Sequence, residues 1–156
     1  MLRGAHAVTL DSKGRITIPT RYRSFLAEEC EGKFVCTIDI QHPCLLLFPL
    51  NKWEVLEKKL SRLSSINEHE RRLQRLLLGN AIDCESDSNG RVLITPVLRE
   101  HASLEKNIML VGQLNRFEIW SETHWKETIS SDMEKLSAAT WSESEGLKGF
   151  TLNDTE

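Results

Sequence analysis

Asp11-Ser12-Lys13-Gly14-Arg15-Ile16-Thr17-Ile18 is the most informative part of this chain, because its pattern occurs a second time. The residues Asp87-Ser88-Asn89-Gly90-Arg91-Val92-Leu93-Ile94 repeat it, with four identities in the first five positions. In each copy the glycine supplies the positive φ that a tight turn needs, and the short Asp side chain accepts hydrogen bonds from the amides of the turn. Each copy is therefore predicted to form a hairpin, in which the turn joins two strands.

The similarity between the two halves extends beyond the turns, in the same order along the chain. The matched positions are Arg23 with Arg99, Phe34–Thr37 with Ile108–Val111, Leu45–Phe48 with Phe117–Trp120, and Trp53 with Trp125. Self-similarity of this kind indicates an internal repeat. Because each half has only about 45 residues, it is too small to bury a core alone. We therefore expect the two halves to share one core.

Helix signals and composition divide the chain into four segments. These are the first repeat at residues 5–52, a helical linker at 53–80, the second repeat at 81–125, and a C-terminal helix with an acidic, mobile tail at 126–156. The expected helix N-caps are Thr20 for a short helix over residues 21–26, Asn51 for the first linker helix, and Asn67 for a second linker helix that ends at Gly79.

Composition limits the classes of protein to which this chain can belong. It has 156 residues, of which 40% are hydrophobic, and this is enough to bury the core of one domain. No apolar stretch reaches the roughly 18 residues that a membrane span needs. The residues before the first predicted strand lack the apolar region of a secretion signal. We therefore expect a cytoplasmic protein that has no membrane partner.

Residue types that carry catalysis or bind metals are present but not in suitable patterns. The four cysteines lack C-x-x-C spacing and are expected to be reduced structural thiols. A metal site built from Cys30, Cys36, Cys44 and His42 would not match the spacing of structural zinc modules. The sequence also has no G-x-S-x-G motif and no glycine-rich phosphate loop. We predict no enzyme activity, no catalytic residue, no cofactor and no metal.

Charge is distributed unevenly along the chain, although the formal net charge is only -3. Residues 1–26 carry five basic side chains and a single acidic one, Asp11. Residues 121–156 carry three lysines against eight acidic side chains. A basic surface attracts nucleic acid even when the whole molecule is slightly acidic. The first repeat is therefore the predicted basic surface, and the C-terminal segment is an acidic one.

The arginines that end the two signatures are the leading candidates for function. A guanidinium can make two hydrogen bonds to O6 and N7 of guanine in the major groove of DNA. In the alternative interpretation, Arg15 pairs with Asp11, and Arg91 with Asp87, only to fix each turn. Spacing alone does not choose between these roles.

The charges around the two signatures favour the first as the main contact with DNA. Basic side chains accompany the first signature, whereas the second has Asn89 in place of Lys13 and the acidic residues Asp83, Glu85 and Glu100 nearby. We therefore predict that residues 11–15 read bases and that residues 87–91 are a structural twin with an auxiliary contact at most. The predicted DNA-binding residues are Arg15, Lys13, Arg3, Asp11, Gly14, Arg91, Asp87, Arg21 and Arg23.

Several motifs together resemble one known family. They are Asp11–Arg15, Pro19–Arg23, Cys44–Leu50 with Trp53, Arg71–Gly79, and Gly90–Arg91 with Arg116–Trp120. In this order, over roughly residues 1–125, the chain resembles the MraZ family of bacterial transcriptional regulators. The resemblance implies an α+β, mainly β fold. It is a double-split β-barrel of the swapped-hairpin, AbrB-like kind, formed by two tandem pseudo-symmetric repeats with peripheral and linker α-helices.

The same resemblance implies a function. Proteins of this family are expected to be sequence-specific DNA-binding repressors that bind repeated short G-rich boxes in their own promoter and control the division and cell wall gene cluster. They are expected to act as ring-shaped homo-oligomers, octamers or dodecamers, and to associate with the nucleoid in the cytoplasm. The alternative is a ring-forming protein that does not bind DNA and whose basic face binds an acidic protein partner.

Overall fold

A computed structural model describes residues 1–136 and 143–153 of the chain. Within these residues eight strands and five helices follow one another. They are β1 (Leu2–Thr9), β2 (Arg15–Thr17), α1 (Thr20–Cys30), β3 (Lys33–Ile38), β4 (Leu45–Pro49), α2 (Leu50–Ser61), α3 (Glu68–Gly79), β5 (Ile82–Glu85), β6 (Arg91–Leu93), α4 (Pro96–His101), β7 (Asn107–Leu114), β8 (Phe117–Ser121) and α5 (Glu122–Lys135).

The order of these elements is the same in both halves of the chain. Two strands, a helix, two strands and a further helix occur first from β1 to α2 and again from β5 to α5, with α3 inserted between the halves. The chain forms two compact units, Met1–Glu122 and Thr123–Glu156, so the first unit contains all eight strands. The tail predicted to be mobile includes residues 137–142 and 154–156, which lie outside the described residues.

The two halves exchange strands rather than forming separate sheets. The larger sheet has the order β1-β7-β8-β4-β3-β5, and every pairing in it is antiparallel. The first strand of each half therefore pairs with the third strand of the other half. The second strands, β2 and β6, pair with each other in a separate two-stranded ribbon.

This topology corrects the prediction of a local hairpin at each signature. β2 pairs with β6, and β1 pairs with β7, so the two strands that flank a turn belong to different sheets. The reason is that each half offers apolar strands which can be covered only by strands of the other half. The fold is a mixed α/β structure with a mostly antiparallel sheet. The larger sheet is open, with β1 and β5 at its edges.

The main core contains residues from both halves, which confirms the predicted shared core. Ile16 and Val92, at the centres of the ribbon strands, are both 0% exposed and pack in the same cluster. Phe34 of the first half and Phe117 of the second are equally enclosed there. Each such side chain contributes roughly 1.5–3 kcal/mol through its removal from water. Neither half could keep this contribution without the other.

Two of the predicted helix caps are wrong, and proline explains both. α1 and α2 begin directly after Pro19 and Pro49, whose φ values of -54° and -53° suit a helix entry, and neither helix has a side-chain cap. Thr20 is thus inside α1, and the side chain of Asn51 donates to Glu29 instead. The third cap is confirmed, because the side chain of Asn67 accepts from two amides of α3.

All four cysteines are free thiols. Cys36 and Cys44 are fully enclosed, and burial raises the pKa of both thiols above the ordinary value. Burial also raises the pKa of the half-buried Cys84 thiol to about 11. Such thiols stay protonated and behave as small hydrophobic side chains. Among the described residues, no helix is both long enough and apolar enough to cross a bilayer.

Candidate nucleic-acid interface

The first signature forms a turn organised by the carboxylate of Asp11. Its Oδ1 accepts from the backbone N–H groups of Lys13 and Arg15, both at 2.9 Å, and its Oδ2 accepts from Nε of Arg15 at 2.8 Å. These bonds, that of the Arg15 backbone first, hold the pKa of Asp11 below its ordinary value of 3.8. The backbone N–H of Gly14, at a φ of +83°, donates to the Asp11 carbonyl at 3.0 Å. The carboxylate therefore remains ionised and fixes both the turn and the arginine.

The second signature has the same geometry. Oδ1 of Asp87 accepts from the backbone N–H groups of Asn89 and Arg91, again at 2.9 Å, and Oδ2 accepts from Nε of Arg91 at 3.1 Å. The backbone bond to Arg91 is the main reason that the pKa of Asp87 lies below its ordinary value. Gly90 has a φ of +75°. We name the two turns the first loop (residues 11–15) and the second loop (residues 87–91).

The ribbon brings the two loop arginines onto one surface. Arg15 is opposite Leu93 in the β2–β6 ladder, and Arg91 is opposite Thr17. Because side chains alternate along a strand and the central residues of both strands point into the core, these four side chains lie on the outer face. Arg15 and Arg91 are diagonal neighbours on this face, a relationship that spans roughly 7–8 Å.

Each loop is held by the opposite repeat. The carbonyl of Gly14 accepts from the backbone N–H of Ile94 at 2.9 Å, and the carbonyl of Gly90 accepts from that of Ile18 at 2.8 Å. The side chain of Arg99, on α4, lies against Gly14, and the side chain of Arg23, on α1, lies against Gly90. Sequence reasoning missed Arg99 as part of the site. The available signal was its match with Arg23 in the repeat.

The other predicted DNA-binding residues are distributed over a wider surface. Lys13 is exposed in the first loop. Arg21 is exposed on α1, with its guanidinium 4.8 Å from the centre of the Tyr22 ring. Arg3 is exposed near the start of β1. Asp11 is eight positions further along the chain, beyond the end of β1 at Thr9, and a fully extended chain of this length spans roughly 26 Å. The structure therefore brings Lys13 close to Arg15 but keeps Arg3 at the opposite end of β1.

The acidic residues near the second loop are on the surface as the sequence suggested. Asp83 and Glu85 are exposed on the edge strand β5, and Glu100 is exposed on α4. The second loop has Asn89 where the first has Lys13. Its surroundings are thus less positive, although its hydrogen bonds are the same.

A group of possible metal ligands lies outside the loops. The thiol of Cys44 and the carboxylates of Asp39 and Glu118 offer ligand atoms that all lie within 4.8 Å of one another. The thiol donates to Asp39 at 3.6 Å, and the Nε1 of Trp120 donates to Glu118 at 3.0 Å. The group differs from the cysteine set that was considered from the sequence, with which it shares only Cys44.

Comparison with known proteins gives the same result for both halves. Residues 1–76 and residues 77–144 each match the family model of the MraZ protein, which is described as antitoxin-like. The chain belongs to the MraZ family. A protein of Tolumonas auensis named Transcriptional regulator MraZ is 60% identical over 152 residues, which cover 97% of this chain and 100% of the relative. Proteins of the same name from Salmonella paratyphi B and Salmonella enteritidis are 58% identical over the same shares.

Membership of the MraZ family confirms the resemblance inferred from the sequence motifs. MraZ relatives carry the name of transcriptional regulators, which is not the name of an enzyme class. The chain is therefore a transcriptional regulator of the MraZ family and not an enzyme. The double match to the MraZ model also coincides with the internal repeat, because the border between the two matches falls within α3.

Proposed function

We propose that this protein is a sequence-specific DNA-binding repressor that binds repeated short G-rich boxes in its own promoter and controls the division and cell wall gene cluster. The observation that carries the proposal is the outer face of the β2–β6 ribbon, on which Arg15 and Arg91 are diagonal neighbours. A two-stranded ribbon is narrow enough to enter the major groove, which is about 12 Å wide.

The hydrogen bonds of the loop arginines are compatible with base recognition. Of the three guanidinium nitrogens of Arg15, only Nε donates to Asp11, and of those of Arg91 only Nε donates to Asp87. Within the described residues, neither arginine has a bond from its two terminal nitrogens to a protein acceptor. A guanidinium held at Nε can direct its terminal N–H groups to O6 and N7 of a guanine. Pairing with the Asp and reading of bases are therefore compatible roles for each of the two arginines.

The first loop is proposed as the main reader. Lys13 is a cation that the second loop lacks, because Asn89 takes its place there. Phosphate contacts by such cations position a protein on DNA, whereas base contacts specify the sequence. Arg91 then makes an auxiliary contact from the neighbouring position on the ribbon.

The proposal includes assembly and location. A ring of subunits, such as an octamer or a dodecamer, would present many ribbons to repeated boxes, so that weak single contacts combine into strong binding. The protein would act in the cytoplasm on the nucleoid. The finer fold assignment, a swapped-hairpin AbrB-like double-split barrel, is also part of the proposal. It is supported by the exchange of first strands between the repeats.

Arg15→Ala tests the proposed function directly. Binding of the purified protein to its promoter DNA is measured by fluorescence anisotropy at several salt concentrations. Loss of one base-reading arginine is expected to cost about 1–3 kcal/mol of binding free energy per subunit. The resulting loss of affinity multiplies when several subunits bind the same promoter. Arg71→Ala is the matched control, because it also removes an arginine, one that is exposed on helix α3 and belongs to neither loop.

Three results would contradict the proposal or redirect it. Unchanged promoter affinity in a folded Arg15→Ala protein would refute base reading by the first loop. An equal loss in Arg71→Ala would show that general charge is responsible. Binding that depends on salt but is the same for scrambled boxes would favour a ring-forming protein with an acidic protein partner.

A further inference from the structure

The two loop glycines are each covered by a guanidinium of the opposite repeat. A Cβ placed on Gly14 would lie 2.7 Å from Nη1 and 2.8 Å from Cζ of Arg99. A Cβ placed on Gly90 would lie 2.5 Å from Nε and 2.9 Å from Cζ of Arg23. Real Cβ atoms do not approach other atoms this closely, so each guanidinium occupies the space that any other residue would need. Glycine is favoured here by its positive φ, and any other residue would also displace the guanidinium that lies on it.

Backbone hydrogen bonds also join each loop to the opposite repeat. β2 runs into Ile18, whose N–H donates to the second loop, and β6 runs into Ile94, whose N–H donates to the first loop. Each helix that carries a covering arginine follows the residue that makes this bond, α1 after Ile18 and α4 after Ile94. A loop from one repeat therefore rests on a strand end and a helix from the other.

The two arginines are anchored differently. Nε of Arg23 donates to the carbonyl of Ile18 at 3.0 Å. Nε of Arg99 is buried and, among the described residues, has no hydrogen-bond partner. Arg99 is consequently held by packing against the first loop, and the first loop depends on a more weakly anchored support.

We propose that Arg99 is the positioning residue of the first loop and Arg23 the positioning residue of the second, so that each DNA-reading loop is completed by the opposite repeat. The proposal rests on the proposed function, in which the loops read DNA. A flat guanidinium packed on the glycine fixes the turn that precedes Arg15 or Arg91 and thereby sets the direction of that arginine. This also reassigns Arg23, which was predicted to contact DNA itself.

Double-mutant cycles on promoter binding test the crossed arrangement. Arg99→Ala is expected to weaken binding and to add little to Arg15→Ala, because both changes disable the first loop. When Arg99→Ala is combined with Arg91→Ala, the two losses in binding free energy should be additive. Coupling between residues of one unit commonly reaches about fivefold or more in affinity, whereas distant sites are nearly additive. Arg23→Ala should show the reverse pattern, coupled to Arg91→Ala and independent of Arg15→Ala.

The salt dependence of Arg99→Ala separates a positioning role from direct binding of a phosphate. If Arg99 bound a phosphate itself, its removal would make the negative slope of log affinity against log salt shallower by about 0.9. A positioning role predicts an unchanged slope in the Arg15→Ala background. Arg99→Lys keeps the charge but lacks a flat guanidinium, so it should not restore the affinity. Full rescue by lysine, or a reduced slope in that background, would overturn the proposal.

Amide chemical shifts test the same packing without DNA. In ¹H–¹⁵N spectra, Arg99→Ala should shift the amides of Lys13 and Gly14, and Arg23→Ala those of Asn89 and Gly90. Shifts confined to the loop of the same repeat, or the same shifts in both variants, would contradict the crossed support. Suppose that each variant shifts the amides of the opposite repeat's loop while Arg15→Ala leaves promoter affinity unchanged. In that case the proposed function fails, but the support of each loop by the opposite repeat stands.

Discussion

The first and second loops have the same internal geometry in different surroundings. In both, one Asp side chain accepts from two backbone amides and from Nε of the arginine that ends the signature. They differ in the charge at their third position, lysine in one and asparagine in the other, and in the anchoring of the arginine that covers the glycine. The comparison shows that a five-residue motif determines the shape of a loop, whereas its surroundings determine what the loop can bind.

Replacement of the loop glycines, Gly14 and Gly90, should have the largest effect and should affect promoter binding by the two loops unequally. Gly14→Ala and Gly90→Ala each add a Cβ at positive φ and against a guanidinium. Strained backbone of this kind costs on the order of 1–3 kcal/mol. Both variants should unfold at lower denaturant concentration, and Gly14→Ala should lose more promoter affinity.

Gly79→Ala is the control for the glycine variants, because no atom lies within 4 Å of a Cβ at that position, the last residue of α3. It should change stability by no more than about 1 kcal/mol, in either direction. If Gly14→Ala were as mild as this control, the packing of Arg99 on Gly14 could not support the loop.

Exchange of the third loop residue, Lys13 or Asn89, should have an intermediate effect on DNA binding. Lys13→Asn makes the first loop resemble the second, and Asn89→Lys does the opposite. Each phosphate that a loop newly binds or no longer binds should change the slope of log affinity against log salt by about 0.9, steeper for Asn89→Lys and shallower for Lys13→Asn. Titrations at four or more salt concentrations measure this slope. Equal slopes in all three proteins would mean that this position does not face DNA.

The pH dependence of the loops should be the smallest effect, because both carboxylates lie at the surface. The pKa of Asp11 and that of Asp87 are lowered in the folded protein. Their contribution to stability is therefore complete above the ordinary value of 3.8 and is lost as the pH falls through the lower folded value. Carboxyl ¹³C titration should give both values below 3.8. A value above 3.8 for either residue would show that its turn does not form in solution.

Much of the local structure follows from short stretches of sequence. The two turns, the order of the elements and the cap at Asn67 were predicted because each depends on residues within a few positions of one another. The caps at Thr20 and Asn51 were wrong since the preceding prolines begin both helices. The local hairpins were also wrong. Whether β2 pairs with β1 or with β6 depends on residues far apart in the chain, and local patterns do not report such choices.

Two loops, each starting with an Asp and ending with an arginine, follow from the sequence alone, which does not show whether the Asp holds the arginine. The folded structure shows that each Asp holds its arginine and that the two arginines share one outer face. It also shows that Arg99 and Arg23 each lie against the loop of the opposite repeat. The physical reason is the range of the interactions. A turn is closed by hydrogen bonds over four residues, as in Asp11 to Arg15, whereas strand exchange follows from the need of two small halves to bury one common core.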